Sequence, residues 1–187
     1  MSKNLANLTN ILQTTKITGI DCTFAKQTYL MKILLIVVGK TDQKWLTEGI
    51  AQYTERLTHF SQFEMQVIPD IRNTRSMDPQ VQKVHEGEQI LKLLQSSDDV
   101  YLLDDKGREF TSPEMAAWLE KRMAQSTKRL VFIIGGPYGF SPDVYARVPN
   151  RISLSRMTFS HQMVRLIFVE QLYRAFAILN NLPYHHE

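Results

Sequence analysis

The chain has 187 residues, of which 43% are hydrophobic and 22% charged, with 8 Gly and 7 Pro. That mixture excludes a disordered, collagenous or low-complexity chain and suits one globular domain. Its 22 Lys and Arg against 19 Asp and Glu give +3. Lys3, Lys16 and Lys26 against Asp21 supply +2 of this within the first thirty residues, so overall charge makes no case for a nucleic-acid partner. A single cysteine, Cys22, excludes an internal disulfide and points to a reducing, cytoplasmic compartment. The longest apolar run, Ile33–Val38, is six residues, against the roughly 20 that a membrane helix needs.

Residues 1–30 are rich in Thr, Asn, Gln and Lys and sustain no helical face. They lack the apolar core of a secretory signal and the arginines of a transit peptide. At Met31 the text changes abruptly to MKILLIVVGK. We expect Met31 to be the natural start of a single domain over 31–187, with 1–30 a mis-assigned extension or flexible tail. A short ordered appendage is the alternative.

Lys32–Gly39 reads as a buried strand, too short and too β-branched for a helix. Trp45, Leu46, Ile50, Tyr53 and Leu57 predict an amphipathic helix within Asp42–Phe60. Phe63, Met65 and Val67 alternate as in a half-buried strand. Val81, Val84, Ile90, Leu91 and Leu94 predict a helix over Gln80–Gln95. Val100–Leu103 is expected to be a short strand entering the polar turn 104–107. Thr111 and Glu114 form a capping-box pattern with Pro113 in the first turn, predicting a helix to about Gln125. Leu130–Ile134 is the most apolar strand and is followed by the helix start Ser141-Pro142-Asp143. Ile152–Leu154 reads as a last short strand and Phe159–Asn181 as the longest helix.

This strand–helix alternation predicts an α/β fold, a mainly parallel sheet with helices on both faces. Ligands of such sheets bind in loops at the carboxyl ends of strands. The loops after Leu103, Ile134 and Leu154 therefore become the candidate site. Gly135-Gly136-Pro137-Tyr138-Gly139 is the strongest feature, because glycines after a buried strand let a ligand reach main-chain amides. A plain tight connection would need one glycine rather than three. Neither the dinucleotide fingerprint nor a P-loop is present. Ser155, Thr158 or Ser160 is placed to cap the last helix. His161 and Arg165 share a helix face, either as a packed helix-end pair or as an anion-binding edge. Tyr184, His185 and His186 read locally as a frayed tail and a weak metal signal, so no metal is expected. A nucleophile elbow is absent, and the cysteine lies in the doubtful extension.

MKILLIVVGK, LLD, IIGGPYGF, LSRMTFSHQMVR, the run Glu170–Ala175 and the terminal PYHHE together closely resemble the RlmH family. These are bacterial ribosomal large-subunit methyltransferases of the SPOUT class, and the resemblance spans 31–187. It implies a C-terminal trefoil knot, a homodimer, and methyl transfer from S-adenosylmethionine to N3 of a pseudouridine in 23S rRNA within the ribosome. Carried over, the cofactor pocket is Leu103, Gly135, Gly136, Leu154, Ser155, Arg156, Met157, Thr158 and Phe159. His185 and His161 are the candidate proton acceptors. Arg165, Tyr184 and His185 are expected on the RNA, Arg165 at a phosphate or the base anion and Tyr184 on the base. The alternatives are a non-catalytic RNA-binding or ribosome-associated module of the same fold, and a SPOUT enzyme for another RNA. Cofactor heat in calorimetry separates the first, and nucleoside analysis of rRNA and tRNA the second. A nicotinamide oxidoreductase ranks third, because its fingerprint is missing.

Overall fold

The computed structural model describes residues 31–71, 76–125 and 127–184. The expectations for residues 1–30 lie outside them. The elements are β1 (Lys32–Val38), α1 (Lys44–Leu57), β2 (Gln62–Ile68), α2 (Pro79–Leu93), β3 (Asp99–Glu109), α3 (Ser112–Ala124), β4 (Arg129–Ile134), α4 (Pro142–Arg147), β5 (Arg151–Ser153) and α5 (Met163–Leu179). The five strands form one sheet in the order β2-β1-β4-β3-β5. Every pairing is parallel.

The apolar runs of β1 and β4 are continuous because both faces of the sheet are covered. Ile33, Leu35 and Val37 point to one side, with Leu130, Phe132 and Ile134, against Ile50 of α1, Leu119 of α3 and Phe168 and Leu172 of α5. Leu34, Ile36 and Val38 point to the other, with Val131 and Ile133, against Ile90 of α2 and Val144 of α4. One-residue alternation along each strand thus divides the core into two layers.

Local chemistry fixes the helix starts. Thr111 Oγ1 accepts from the Glu114 N–H at 3.3 Å, and the Glu114 carboxylate accepts from the Thr111 N–H at 2.7 Å. Asp78 and Ser141 cap α2 and α4 in the same sense, each ahead of a proline in the first turn. Thr111→Ala removes the reciprocal pair at an exposed helix end. Its expected cost is about 0.5–2 kcal/mol in denaturant unfolding.

Several expectations need correction. Val81 and Val84 are 46% and 41% exposed, and α2 buries Gln82, Glu86 and Gly87 alongside the expected Ile90. Gly87 turns the helix, since a Cβ there would run into the Ser141 side chain ahead of α4. Trp45, one position from buried Leu46, faces solvent, as does Val67 on the edge strand β2. The strand β3 does not stop at Leu103. Leu103 and Arg108 both register with Ile152 of β5, so 104–107 forms a bulge inside a strand of 11 residues. The helix α5 begins at Met163 rather than Phe159, because Ser160 Oγ accepts from the Met163 N–H at 3.1 Å and ends the preceding loop.

Candidate ligand pocket at the strand ends

β4, β3 and β5 are adjacent and parallel, so the chain leaves all three at one edge of the sheet. The segments that follow enclose a cavity of about 390 Å³, within the range of small-molecule sites. Leu103, Asp104 and Asp105 come from β3 and its bulge. Ile134 to Pro137, Gly139 and Phe140 come from the loop after β4. Ile152 to Ser155 and Met157 to His161 form the third wall, with Val164 from the first turn of α5.

The glycine loop is a tight turn. The Gly139 N–H donates to the Gly136 carbonyl at 3.2 Å, and Gly139 sits at φ +78°, where side chains are strained. At Gly135 a Cβ would lie 3.2 Å from the Phe140 ring and 3.3 Å from the Gly139 carbonyl. At Gly136 it would enter the Glu86 carboxyl, lying 2.9 Å from Cδ. At Gly135 and Gly136 the loop therefore offers main chain to the cavity with the side-chain space already filled from behind.

The segment after β5 is held by its own hydroxyls. Ser153 Oγ donates to the Ser155 carbonyl and Ser155 Oγ accepts from the Met157 N–H, both at 2.9 Å. Leu154, Ser155, Met157, Thr158 and Phe159 all line the cavity. Arg156 does not; its guanidinium turns outward to Glu109 at 3.2 Å. Asp104 is fixed, accepting from the Tyr145 hydroxyl at 2.6 Å and from the Lys106 N–H at 2.9 Å. Burial and this carboxylate push the Tyr145 hydroxyl up to about 12, so it stays a donor. Asp104 and Asp105 were expected only as turn residues; their place just beyond a strand carrying Leu103 was the available signal. Ser160 was expected only as a helix cap, and Phe140 and Ser153 had no local pattern that marked them as pocket wall.

His161 lines the cavity, half-buried. Desolvation and then the neighbouring Arg165 cation hold its imidazole below the ordinary value, with Asp70 and Asp42 acting in the opposite sense. The neutral, proton-accepting form is thereby favoured at neutral pH.

Arg165 takes the packed alternative and not the anion-binding edge expected to face RNA. It is fully buried, and its Nη2 donates to the Val38 carbonyl at 2.6 Å. Nη1 donates to the Gly39 carbonyl and Thr41 Oγ1, both at 2.9 Å, and Nε to the His161 carbonyl at 3.1 Å. The guanidinium is a clamp between the end of β1 and the start of α5, turned away from solvent. Beside it Gln162 and Asp42 exchange two hydrogen bonds, at 2.6 and 2.9 Å. Tyr184 also lies apart from the cavity wall. Its hydroxyl donates to Glu170 and shares a hydrogen bond with Tyr53, each at 3.0 Å, while Arg174 lies 4.9 Å from its ring centroid. His185 falls outside the described residues.

A parallel sheet that gathers three strand-end loops, glycine main chain and paired carboxylates around one cavity defines a small-molecule-binding α/β protein. The family model described as "Predicted SPOUT methyltransferase" matches residues 31–185. The chain belongs to this methyltransferase family. Among its relatives, the Ribosomal RNA large subunit methyltransferase H of Parabacteroides distasonis is 59% identical over 157 residues, covering 84% of this chain and all of that protein. Proteins of the same name from Phocaeicola vulgatus and Porphyromonas gingivalis are 57% and 55% identical with the same coverage.

Proposed function

We propose that the protein methylates large-subunit ribosomal RNA, with S-adenosylmethionine as donor and N3 of a pseudouridine in 23S rRNA as acceptor. The observation that carries this is the convergence of the segments after Leu103, Ile134 and Ser153 on one cavity, in a chain whose relatives bear the rRNA methyltransferase name. The residues present fit such a donor. Leu103, Leu154, Ile152 and Phe140 give apolar walls to a flat ring, and the glycine loop supplies main-chain groups without Cβ interference. Asp104 and Asp105 set negative charge beside a cationic ligand.

The donor supplies a methyl already activated on a sulfonium, so what is left to the protein is alignment and proton removal. Rigid loop ends provide the alignment, and a fixed near-attack arrangement is worth roughly 7–11 kcal/mol. The acceptor imide must lose a proton. His161, held neutral at the cavity wall, takes it on an imidazole nitrogen, which contributes about 10²–10⁴-fold in rate. Arg165 acts by holding the His161 main chain rather than by touching RNA. We place the remaining recognition on a homodimer in the cytoplasm, with a knotted C-terminal region. There the tail, with Tyr184, whose hydroxyl is held by Glu170 and Tyr53, and His185, is assigned the role of completing the neighbouring subunit's site.

The low net charge supports an assembled particle as substrate, because binding naked RNA by phosphate neutralisation calls for a larger basic excess. Tritiated S-adenosylmethionine incubated with ribosomes from a strain deleted for this gene provides the test. The expected result is label in a pseudouridine of large-subunit rRNA, with protein-free rRNA labelled far more weakly. Label in tRNA alone, or none at all, overturns the proposal.

A further inference from the structure

Among the described residues Arg165 and Glu86 are charged residues buried as a whole, and the Asp98 side chain is buried too, paired with Arg129 at 2.8 Å. Arg165 is hydrogen-bonded at all three nitrogens. Glu86 is not satisfied. At 4% exposure it accepts one hydrogen bond, from Gln82 Nε2 to Oε1 at 2.7 Å, and its Oε2 is buried without a partner. That carboxyl occupies the space where Gly136 would carry a Cβ. It therefore sits directly behind a residue of the cavity wall.

Resting on the methyl-donor reading above, we infer that Glu86 is a positioning residue that works as an uncharged acid, its carboxyl setting the Gly135–Gly136 main chain that faces the donor. An ionised carboxylate with an unpartnered oxygen is costly in such a place, because no donor repays its lost hydration. The surroundings agree. Burial first, and then the Asp70 carboxylate beyond β2, raise its pKa above the ordinary glutamate value, with the Gln82 hydrogen bond acting in the opposite sense. On its own helix, His85 and Glu88 are half-exposed and lie 4.0 Å from each other. On α4, which packs against α2, Asp143 and Arg147 are exposed. Lys83 lies three residues earlier on the same helix, but the charge that acts on the Glu86 carboxyl is that of Asp70 and not a cation.

A folded-state pKa above the unfolded value means that the folded protein binds this proton more tightly. Its stabilising effect is present below the unfolded value and is lost as pH rises through the folded one. Ionisation then places charge against Gly136 and drives the loop away from its ligand-binding form. Glu86→Gln keeps the shape and the acceptor for Gln82 but cannot ionise; Glu86→Ala removes both.

Calorimetric titration of S-adenosylmethionine into wild type and both variants from about pH 4, near the ordinary glutamate value, up to about pH 9 tests this. Titration of the ligand's own amino group affects all three proteins alike, so the ratio of wild-type to Glu86→Gln affinity is the readout. The ratio is expected near one at the acid end and to fall by about tenfold or more at the alkaline end, as a one-proton linkage allows. Glu86→Ala is expected to bind more weakly than either at the acid end. Thermal unfolding of the ligand-free proteins gives a second readout: Glu86→Gln matches wild type at low pH and exceeds it at high pH. A ratio that does not change with pH, or melting curves with the same pH dependence, overturns the role. Absence of binding by wild type at every pH overturns the methyl-donor reading, and this inference with it.

Discussion

Gly107→Ala is expected to disable the pocket while leaving most of the fold intact. A Cβ at Gly107 would lie 2.5 Å from the Ile152 carbonyl carbon, 2.6 Å from the Ile152 nitrogen and 2.7 Å from the Arg151 carbonyl carbon. These are backbone atoms of β5, so no rotamer change relieves the clash, and the strand itself must move. β5 is three residues long at the edge of the sheet, paired on one side to β3. It yields more readily than β1 or β4, which are buried in the centre. Overpacking of this kind costs about 1–3 kcal/mol, seen as a lower denaturant midpoint with little change in slope. The functional loss is larger, because β5 delivers the Leu154–His161 wall to the cavity. A misplacement of about 1 Å in a reacting arrangement can cost about 100-fold in rate, and single-turnover methyl transfer is the measurement. Gly139→Ala separates clash from strain: nothing lies within 4 Å of a Cβ there, but φ is +78°. It should lose only about 1–2 kcal/mol for the left-handed conformation. Equal turnover in Gly107→Ala and wild type would mean that the bulge does not set the wall.

The particular residues explain why so much of this pocket was readable and where the reading stopped. MKILLIVVGK was legible as a buried strand because both faces of β1 are covered, which leaves no polar position in Ile33–Val38. The loops after Leu103, Ile134 and Leu154 were legible as a meeting place because parallel sheets put ligands at strand ends, whatever the strand order, though Arg156 within the last of them turns outward to Glu109. The order β2-β1-β4-β3-β5 was not legible, since it depends on which distant strands meet and no local pattern records that. The face of α2 was misjudged for a related reason. Val81 and Val84 carry the apolar signal, yet the helix turns Gly87 and Glu86 toward the glycine loop and Ser141. The strand β3 continues past its polar stretch because Gly107 allows close main-chain contact with β5, a reason located in another part of the sequence. Helical spacing likewise put His161 and Arg165 on one face but held no information on whether that face was turned in or out. His161 reached the cavity wall, whereas Arg165 entered the protein.

Arg165→Met should therefore lower stability sharply and leave the salt dependence of ribosome binding unchanged. Removing the guanidinium strips the Val38, Gly39 and His161 carbonyls and Thr41 Oγ1 of a charged donor at 2.6–3.1 Å. Each acceptor left unpaired in a buried place costs about 1–3 kcal/mol. Part of that is recovered where water can enter from the cavity side, so a total of about 3–5 kcal/mol is expected, the magnitude for breaking a buried charged cluster. Arg165→Lys keeps the charge but offers a point donor in place of a fork, and should recover only part of the loss. A second consequence concerns His161. The Arg165 cation is one of the causes that lower its pKa, so the Met variant should show the imidazole titrating at higher pH by NMR, provided the variant is studied where it remains folded. The neutral fraction at a given pH then falls, and the pH profile of methyl transfer shifts in the alkaline direction on its acid limb. The competing expectation, an arginine bound to RNA phosphate, makes the opposite pair of forecasts. It predicts near-normal stability, because an exposed cation can be removed at little cost, together with a salt slope for ribosome binding smaller by about one. A stable Arg165→Met variant with that smaller slope would restore Arg165 to the RNA; an unstable one with an unchanged slope places it where its hydrogen bonds already put it, as the pin between the end of β1 and the turn, just ahead of α5, that carries His161.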